Sequence, residues 1–509
     1  MDGIPSEIVA EIFFLCLPAT NYVRPHPSTA PILLTHVCSS WRAFAFDLPD
    51  LWTNIHLTDA WKGSSPPLPF NEVISLNQRL LHQAELWNRH SRGRLVSISL
   101  DLVYHTPSGE LWNDTESGNT FWHPLVRRIV NENLQTIRHL FIRFNFGIHD
   151  LPFYNLPSLE IPNLESLHFS VRANNNVTSP TIFSHAPSLR RVIIDVPPRM
   201  QENMQFPWAQ LTHLIFGSET PLEFFYFVIQ ECLLLERLSM YISNSSNAPV
   251  SKKVITVNNL RDLSFTLFNI EGPSFINTID FPVLEKFHFF SSPRCTPPHF
   301  SWEPLTSNHW NMLHQLRNLH TLVLGFQTVS GDTLLEIVRI IPHLVELAVD
   351  SDLGTYQSFL QGLTYQSNPQ EGHQNILKHL ETFRLYMEIT GDGRLQPRIL
   401  DDFALILDAF LVMVLSRSAF QLFPKGIEGD HTTYPEEISV PAHLRKVLLR
   451  VEDTRESQQT ADLDEFHTRC QTYPQLSRPN MVFDVICKVD EYTWLEEKVD
   501  TWETLTHRS

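Results

Sequence analysis

A short template returns along this chain: an apolar residue, two others, an apolar residue, one other, and a third apolar residue. It constrains the fold more than any other feature, because repetition at a steady interval means one small structural unit stacked many times. The clearest copies are Leu164-Leu167-Phe169, Leu189-Val192-Ile194, Leu211-Leu214-Phe216, Leu235-Leu238-Met240, Leu260-Leu263-Phe265 and Leu284-Phe287-Phe289. Their starts lie 25, 22, 24, 25 and 24 residues apart. Further copies are Leu319-Leu322-Leu324, Leu344-Leu347-Val349, Leu380-Phe383-Leu385 and Leu444-Val447-Leu449, with looser ones at Leu95-Ile98-Leu100 and Ile137-Leu140-Ile142.

Within each copy the last two apolar positions alternate with non-core positions, the period of a strand with one buried face. The spacers hold apolar or amphipathic stretches, such as 222–235 and 331–342, long enough for a few helical turns, so each unit reads strand then helix. Proline stands two residues ahead of the first leucine at Pro162, Pro187, Pro282 and Pro342, where its fixed φ and missing N–H stop a helix. A unit of about 24 residues cannot bury its apolar face alone, so neighbours must stack. The expected fold is α/β, with parallel strands on a concave face and helices on a convex one. This resembles a leucine-rich-repeat solenoid. That family usually carries Asn or Cys eight residues after the first leucine. Here those positions hold Arg172, Pro197, Glu219, Ser243, Phe268, Ser292, Gln327, Asp352 and Glu388, so an irregular solenoid is expected.

The 509 residues allow about three domains or one long array. Hydrophobic residues make up 42% and charged ones 18%, which excludes wholesale disorder. Basic side chains number 38 against 56 acidic ones, a net charge of −18, which argues against a nucleic-acid binder built on phosphate neutralisation. The six cysteines lie far apart without a CxxC pair and read as buried, reduced thiols. Asp2, Glu7 and Glu11 stand where a secretory signal needs basic residues, and the longest apolar stretch, 403–415, is too short to cross a hydrocarbon layer of ~30 Å. A protein of the cytoplasm and/or nucleus, with no membrane partner, is expected.

The first 60 residues differ in kind. Ile4, Ile8 and Ile12 recur every four residues around Pro5, giving an amphipathic helix. After a proline-rich connector, Leu34, Val37, Trp41 and Phe44 or Ala45 form a second stripe, which exits through Leu48-Pro49-Asp50-Leu51-Trp52. Ile4-Pro5, Glu7-Ile8, Ile12-Phe13, Val37-Cys38, Trp41-Arg42 and Leu51-Trp52 together resemble an F-box, over about a tenth of the chain. Ile4 in place of leucine and the long connector are the departures. The resulting layout is an F-box domain at 1–60, a linker and connecting helix at 61–92, the solenoid at 93–450, and an acidic loop and C-terminal cap at 451–509. Fungal F-box proteins have a similar general arrangement.

That resemblance implies a receptor that docks on the adaptor Skp1, and through it on a cullin, while holding a protein substrate for ubiquitination by other subunits. The alternative is an F-box scaffold that binds Skp1 without forming a ligase. The adaptor-contact candidates are Ile4, Pro5, Ile8, Ile12, Phe13, Val37, Cys38 and Trp41. Cys16 and Cys38 lie on the apolar stripes and are expected in the core rather than as nucleophiles. On the solenoid, residues between the strand leucines face the inner side, and Arg191, Arg237, Tyr241, His288, Arg384 and Tyr386 are the substrate-face candidates. Arginine and tyrosine supply binding energy more often than other residue types.

No phosphate-cradling glycine loop and no G-x-S-x-G elbow occur, and His309, His314 and His320 lack the cysteine pair or HExxH of a metal site. A non-catalytic chain with no cofactor and no metal is expected.

Overall fold

The computed structural model describes residues 4–18, 22–58, 70–102, 128–144, 160–171, 182–201, 203–243, 254–268, 279–291, 313–316, 318–327, 329–351, 353–366, 375–389, 398–418, 444–453, 466, 468–473, 476 and 482–487. They divide after Tyr241 into two compact units.

The first unit opens with three helices, α1 (Ser6–Leu15), α2 (Ile32–Val37) and α3 (Ser39–Asp47). A 3₁₀ turn, Pro49–Trp52, then leads into β1 (Asn54–Thr58) and α4 (Phe70–Ser91). There follow β2 (Val96–Leu102), β3 (Ile137–Phe144), β4 (Ser166–Val171), β5 (Arg191–Asp195), β6 (His213–Pro221), α5 (Leu222–Glu231) and β7 (Arg237–Ser243), whose residues through Tyr241 belong to this unit. β1 to β6 pair in chain order, all parallel, and β7 follows β6. β1 lies inside the 1–60 span, so the sheet begins ahead of the expected solenoid bounds of 93–450.

The second unit holds β8 (Ile255–Thr256), β9 (Asp262–Phe268), β10 (Ile279–Asp280), β11 (Lys286–Ser291) and β12 (Thr321–Gln327). Next come α6 (Gly331–Ile340), β13 (Glu346–Ser351), α7 (Leu353–Leu363), β14 (Thr382–Ile389), α8 (Arg398–Ser418), β15 (Lys446–Asp453) and β16 (Val482–Cys487). β9, β11, β12, β13, β14, β15 and β16 are successive parallel neighbours. β8 and β10 form a separate two-stranded ribbon. The architecture is the α/β, parallel-stranded, solenoid-like one that the template demanded.

Its cause is visible in the register. Leu140 pairs with Leu167, Leu167 with Val192, and Val192 with Leu214, so equivalent template positions stack strand upon strand. Every apolar residue of the ten clear copies is at most 3% exposed. The loose copy at Leu95 fails: Leu95 is 43% exposed and Val96 is buried in its place, beside a register shift between Val96 and Ser97.

Tight turns set the entry to each strand, just ahead of the first leucine. The N–H of Leu164, Leu189 and Leu284 donates to the carbonyl three residues back, at 3.3, 3.1 and 3.4 Å, with Pro162, Pro187 and Pro282 at the second position of each turn. Proline's φ is pre-set for that position. Leu235, Leu319 and Leu380 close the same turn at 3.2 Å without proline.

The apolar run at 403–415 is part of α8, where Ile406, Leu407, Phe410, Leu411, Met413 and Val414 are all buried. Near its end Arg417 is 1% exposed, and its guanidinium donates to the carbonyls of Leu363, Ile376 and Leu377 at 2.8, 2.7 and 2.9 Å. Burial pulls Arg417 down to about 10. Removing the donor strands three buried acceptors. Arg417→Leu should therefore cost about 3 kcal/mol or more, read as a fall in the thermal midpoint, and Arg417→Lys should not restore it, since one ammonium cannot reach all three carbonyls.

Candidate functional site

Two surfaces of the first unit stand out, one on the helical head and one on the sheet. On α1, Ile8, Ile12 and Leu15 follow the i, i+4, i+7 spacing of one helical face, and Ile4 continues it one turn earlier. They are 51%, 42%, 84% and 51% exposed, in the order named. The opposite face carries Val9 and Phe13, both buried, with the Phe13 ring 4.9 Å from Trp41 and 5.5 Å from Phe44. α2 repeats the division: Leu34 points inward, whereas Leu33 and Val37 are 43% and 54% exposed.

The head is held from below by Trp52. It is 1% exposed, donates its indole N–H to the Ala45 carbonyl at 2.9 Å, and packs against the rings of Phe46, Trp87 and His90. Arg42 Nε, donating to the Thr35 carbonyl at 2.7 Å, ties α3 to α2. Cys38 caps α3, its sulfur accepting the Trp41 N–H at 3.4 Å.

Of the adaptor-contact candidates, Ile4, Pro5, Ile8, Ile12, Val37 and Cys38 are exposed and Trp41 is half-buried. Phe13 is not a contact residue, because α1 turns it into the head's own core. Leu15 and Leu33 were missed, although each lies on the same helical spacing as a residue that was chosen. Cys16 and Cys38, expected in the core, are both exposed, because one sits at the end of α1 and the other at the α2–α3 junction. Cys232 and Cys470 are buried, and burial pushes their thiols up to about 12 and about 11. Native alkylation followed by peptide mass mapping should therefore modify Cys16 and Cys38 within minutes and spare Cys232 and Cys470 until the chain is unfolded.

On the sheet, the side facing away from the template residues carries three rows of side chains in the first unit. The first row runs Asn54, Ser97, His139, Ser166, Arg191, His213, and the third runs Thr58, Asp101, Arg143, Ser170, Asp195. Arg143 forks onto the Asp101 carboxylate, and Ser170 donates to Asp195 at 3.0 Å. Asp195 leans across Gly217, where an added Cβ would lie 3.0 Å from its own. Burial, with Asp195 nearby, pushes the Tyr241 phenol up. In the middle row Phe141 packs its ring against His168 at 4.3 Å and Tyr22 at 6.4 Å, so the connector between α1 and α2 reaches this face.

Arg191, Arg237 and Tyr241 thus share the first unit's open face with His213 and Asp195. That face is buried in part in both units: Ser97, Ser99, Asp101, His139, Ser170 and Ile215 are buried in the first, and Phe290, Val323, Ala348, Asp350 and Tyr386, at the corresponding alternate positions, in the second. Tyr386 is only 5% exposed, so its ring is not presented to a cargo as expected. An alanine at Gly325 would put Cβ 2.2 Å from the Phe290 ring, which shows how closely that face is packed. Arg384 is bound to Glu346 at 2.6 Å, and His288 is half-buried.

Among the described residues no three His, Cys, Asp or Glu side chains gather as a metal site, and no helix is long and apolar enough to cross a membrane. Compared with models of known protein families and with curated proteins, the chain matches none.

Proposed function

We propose that this chain is a substrate receptor of a cullin-type ubiquitin ligase: its helical head docks on a Skp1-like adaptor, and the open face of its sheet holds a protein cargo. The observation that carries the reading is the outer face of α1 and α2. Six large aliphatic side chains, Ile4, Ile8, Ile12, Leu15, Leu33 and Val37, stand exposed within 34 residues whose inner faces are already filled. Concentrated apolar surface of this kind marks a protein interface. The F-box resemblance names the partner that such a head would take.

The receptor contributes no bond-making group in this scheme. It raises the concentration of a substrate lysine near the conjugating enzyme's thioester, which is catalysis by proximity supplied from outside the reacting atoms. The site of such action is the cytoplasm or nucleus.

Affinity capture of the tagged full chain tests the reading. Recovery of both a Skp1-like adaptor and a cullin supports the receptor. Recovery of the adaptor without cullin supports the scaffold alternative, and recovery of neither removes both.

A further inference from the structure

We infer that the surface around Phe227 and the turn that closes α5, on the side of the sheet opposite the open face, docks a basic, amphipathic segment of a partner protein. The inference is independent of the adaptor reading of the head and of the cargo reading of the open face.

Exposure is the first argument. The Phe224 ring of α5 meets the template residue Phe216 of β6 edge-on, with centroids 5.6 Å apart, so α5 covers the template side of the sheet. Its inner residues Phe225, Val228 and Ile229 are buried, whereas Phe227 is 38% exposed. The chain then turns, with the Leu235 N–H donating to the Cys232 carbonyl at 3.2 Å. Both ends of that turn are buried, yet the two residues between them, Leu233 and Leu234, are 69% and 48% exposed. The centre of a turn in water normally holds Gly, Asn, Asp, Ser or Pro. Large apolar side chains gathered there and on the adjoining helix mark an interaction surface.

Rigidity is the second. The Phe227 ring lies 5.5 Å from both Trp208 and Phe224, and Trp208, in the short 3₁₀ turn ahead of β6, meets Phe206 edge-on at 5.2 Å. Trp208 is half-buried and Phe206 and Phe224 are buried, so a row of rings runs from the core out to the exposed one. An anchor already held by its neighbours loses little freedom when a partner covers it, and aromatic side chains of this kind carry much of the binding energy at interfaces.

Charge names the occupant. Glu223 and Glu231 stand four residues before and after Phe227, in one row along α5, and Glu236 follows the turn. Glu231 and Glu236 are exposed. From 209 to 236 the sequence holds four carboxylate side chains and no lysine or arginine. An apolar centre rimmed by carboxylates complements a segment in which lysine or arginine flanks a large apolar residue, since the long stems lie along the apolar surface while the head groups reach the rim. The same rim disfavours an anionic membrane surface, and it disfavours a second copy of a chain whose net charge is −18.

The test uses the purified full chain and three fluorescent peptide pools built on an alanine-rich helix with its other surface positions degenerate. The first pool has a central leucine with lysine four residues to either side, the second has glutamate in place of both lysines, and the third has serine in place of the leucine. The first should bind at least tenfold more tightly than either of the others, and added salt should narrow its lead over the second. Leu233→Ser with Leu234→Ser should bring the first pool to within about twofold of the third. Glu231→Lys with Glu236→Lys should reverse the order of the first two. All four side chains are exposed, so both variants should keep the wild-type thermal midpoint to within a degree or two. Equal binding of the first two pools by the wild type, or a lead that survives both double substitutions, would overturn the site. Sedimentation that finds the wild type dimeric and the leucine variant monomeric would also overturn it, since a second copy would then cover this surface. Failure to capture an adaptor would contradict the receptor reading while leaving this surface standing.

Discussion

Ile8→Asp combined with Ile12→Asp is expected to weaken binding of a Skp1-like adaptor by at least about 100-fold, while the thermal midpoint of the free chain stays within a degree or two. Both side chains are roughly half exposed, so the folded chain loses little when they change. About half of each isoleucine is left to bury at an interface, which contributes on the order of 0.8 to 1.5 kcal/mol, and each carboxylate put in its place adds a desolvation cost of about 1 to 3 kcal/mol. With about 1.4 kcal/mol per tenfold in affinity, the two terms over both positions give the stated loss. Phe13→Ala reports the opposite pattern, because Phe13 is fully buried against Trp41 and Phe44: stability falls first, and binding falls only as a consequence. Adaptor affinity within threefold of wild type in the double aspartate variant would show that this face is not the dock.

The second large effect is on folding. Trp52→Ala should cost about 3 to 5 kcal/mol, the range for emptying a well-packed aromatic site. Trp52 is 1% exposed, its indole N–H is satisfied by the Ala45 carbonyl, and it is the ring on which Phe46, Trp87 and His90 converge. It therefore joins the end of α3 to α4 and to the start of the sheet. The loss should appear as a thermal midpoint lowered by several degrees, together with easier proteolysis between the head and β2. A midpoint within one degree of wild type would mean that the head and sheet are not joined through this residue.

The repeats were legible because their signal is geometric. A parallel sheet that stacks Leu140 on Leu167 on Val192 on Leu214 forces the same apolar spacing on each strand, and that spacing survives in the sequence. β1 was overlooked although Trp52-Ile55-Leu57 fits the same apolar spacing, because that span was assigned to the helical segment before the repeats. Leu95 was misread for another reason: the shift at Val96 moves the buried position by one residue, which a spacing rule cannot anticipate.

The sites divide in the same way. Which face of α1 is exposed cannot be read from its sequence, since Val9 and Phe13 are as apolar as Ile8 and Ile12. Only the contact of Phe13 with Trp41 decides between them. The two exposed cysteines were misjudged because an apolar neighbourhood in sequence is not burial when the residue falls at a helix end. Tyr386 was misjudged because alternation along a strand assigns a side but not its solvent access. Arg191, His213 and Arg237 could be placed on one side of the sheet from the template, whereas their alignment in a single row required the register.

The most direct test of the central claim is carbene footprinting of the purified full chain alone and saturated with a Skp1-like adaptor. The account predicts strong labelling of Ile4, Ile8, Ile12, Leu15, Leu33 and Val37 in the free chain. In the complex these positions should lose most of their label, with the open face of the sheet unchanged. Labelling of the helical head that is the same with and without saturating adaptor would contradict it.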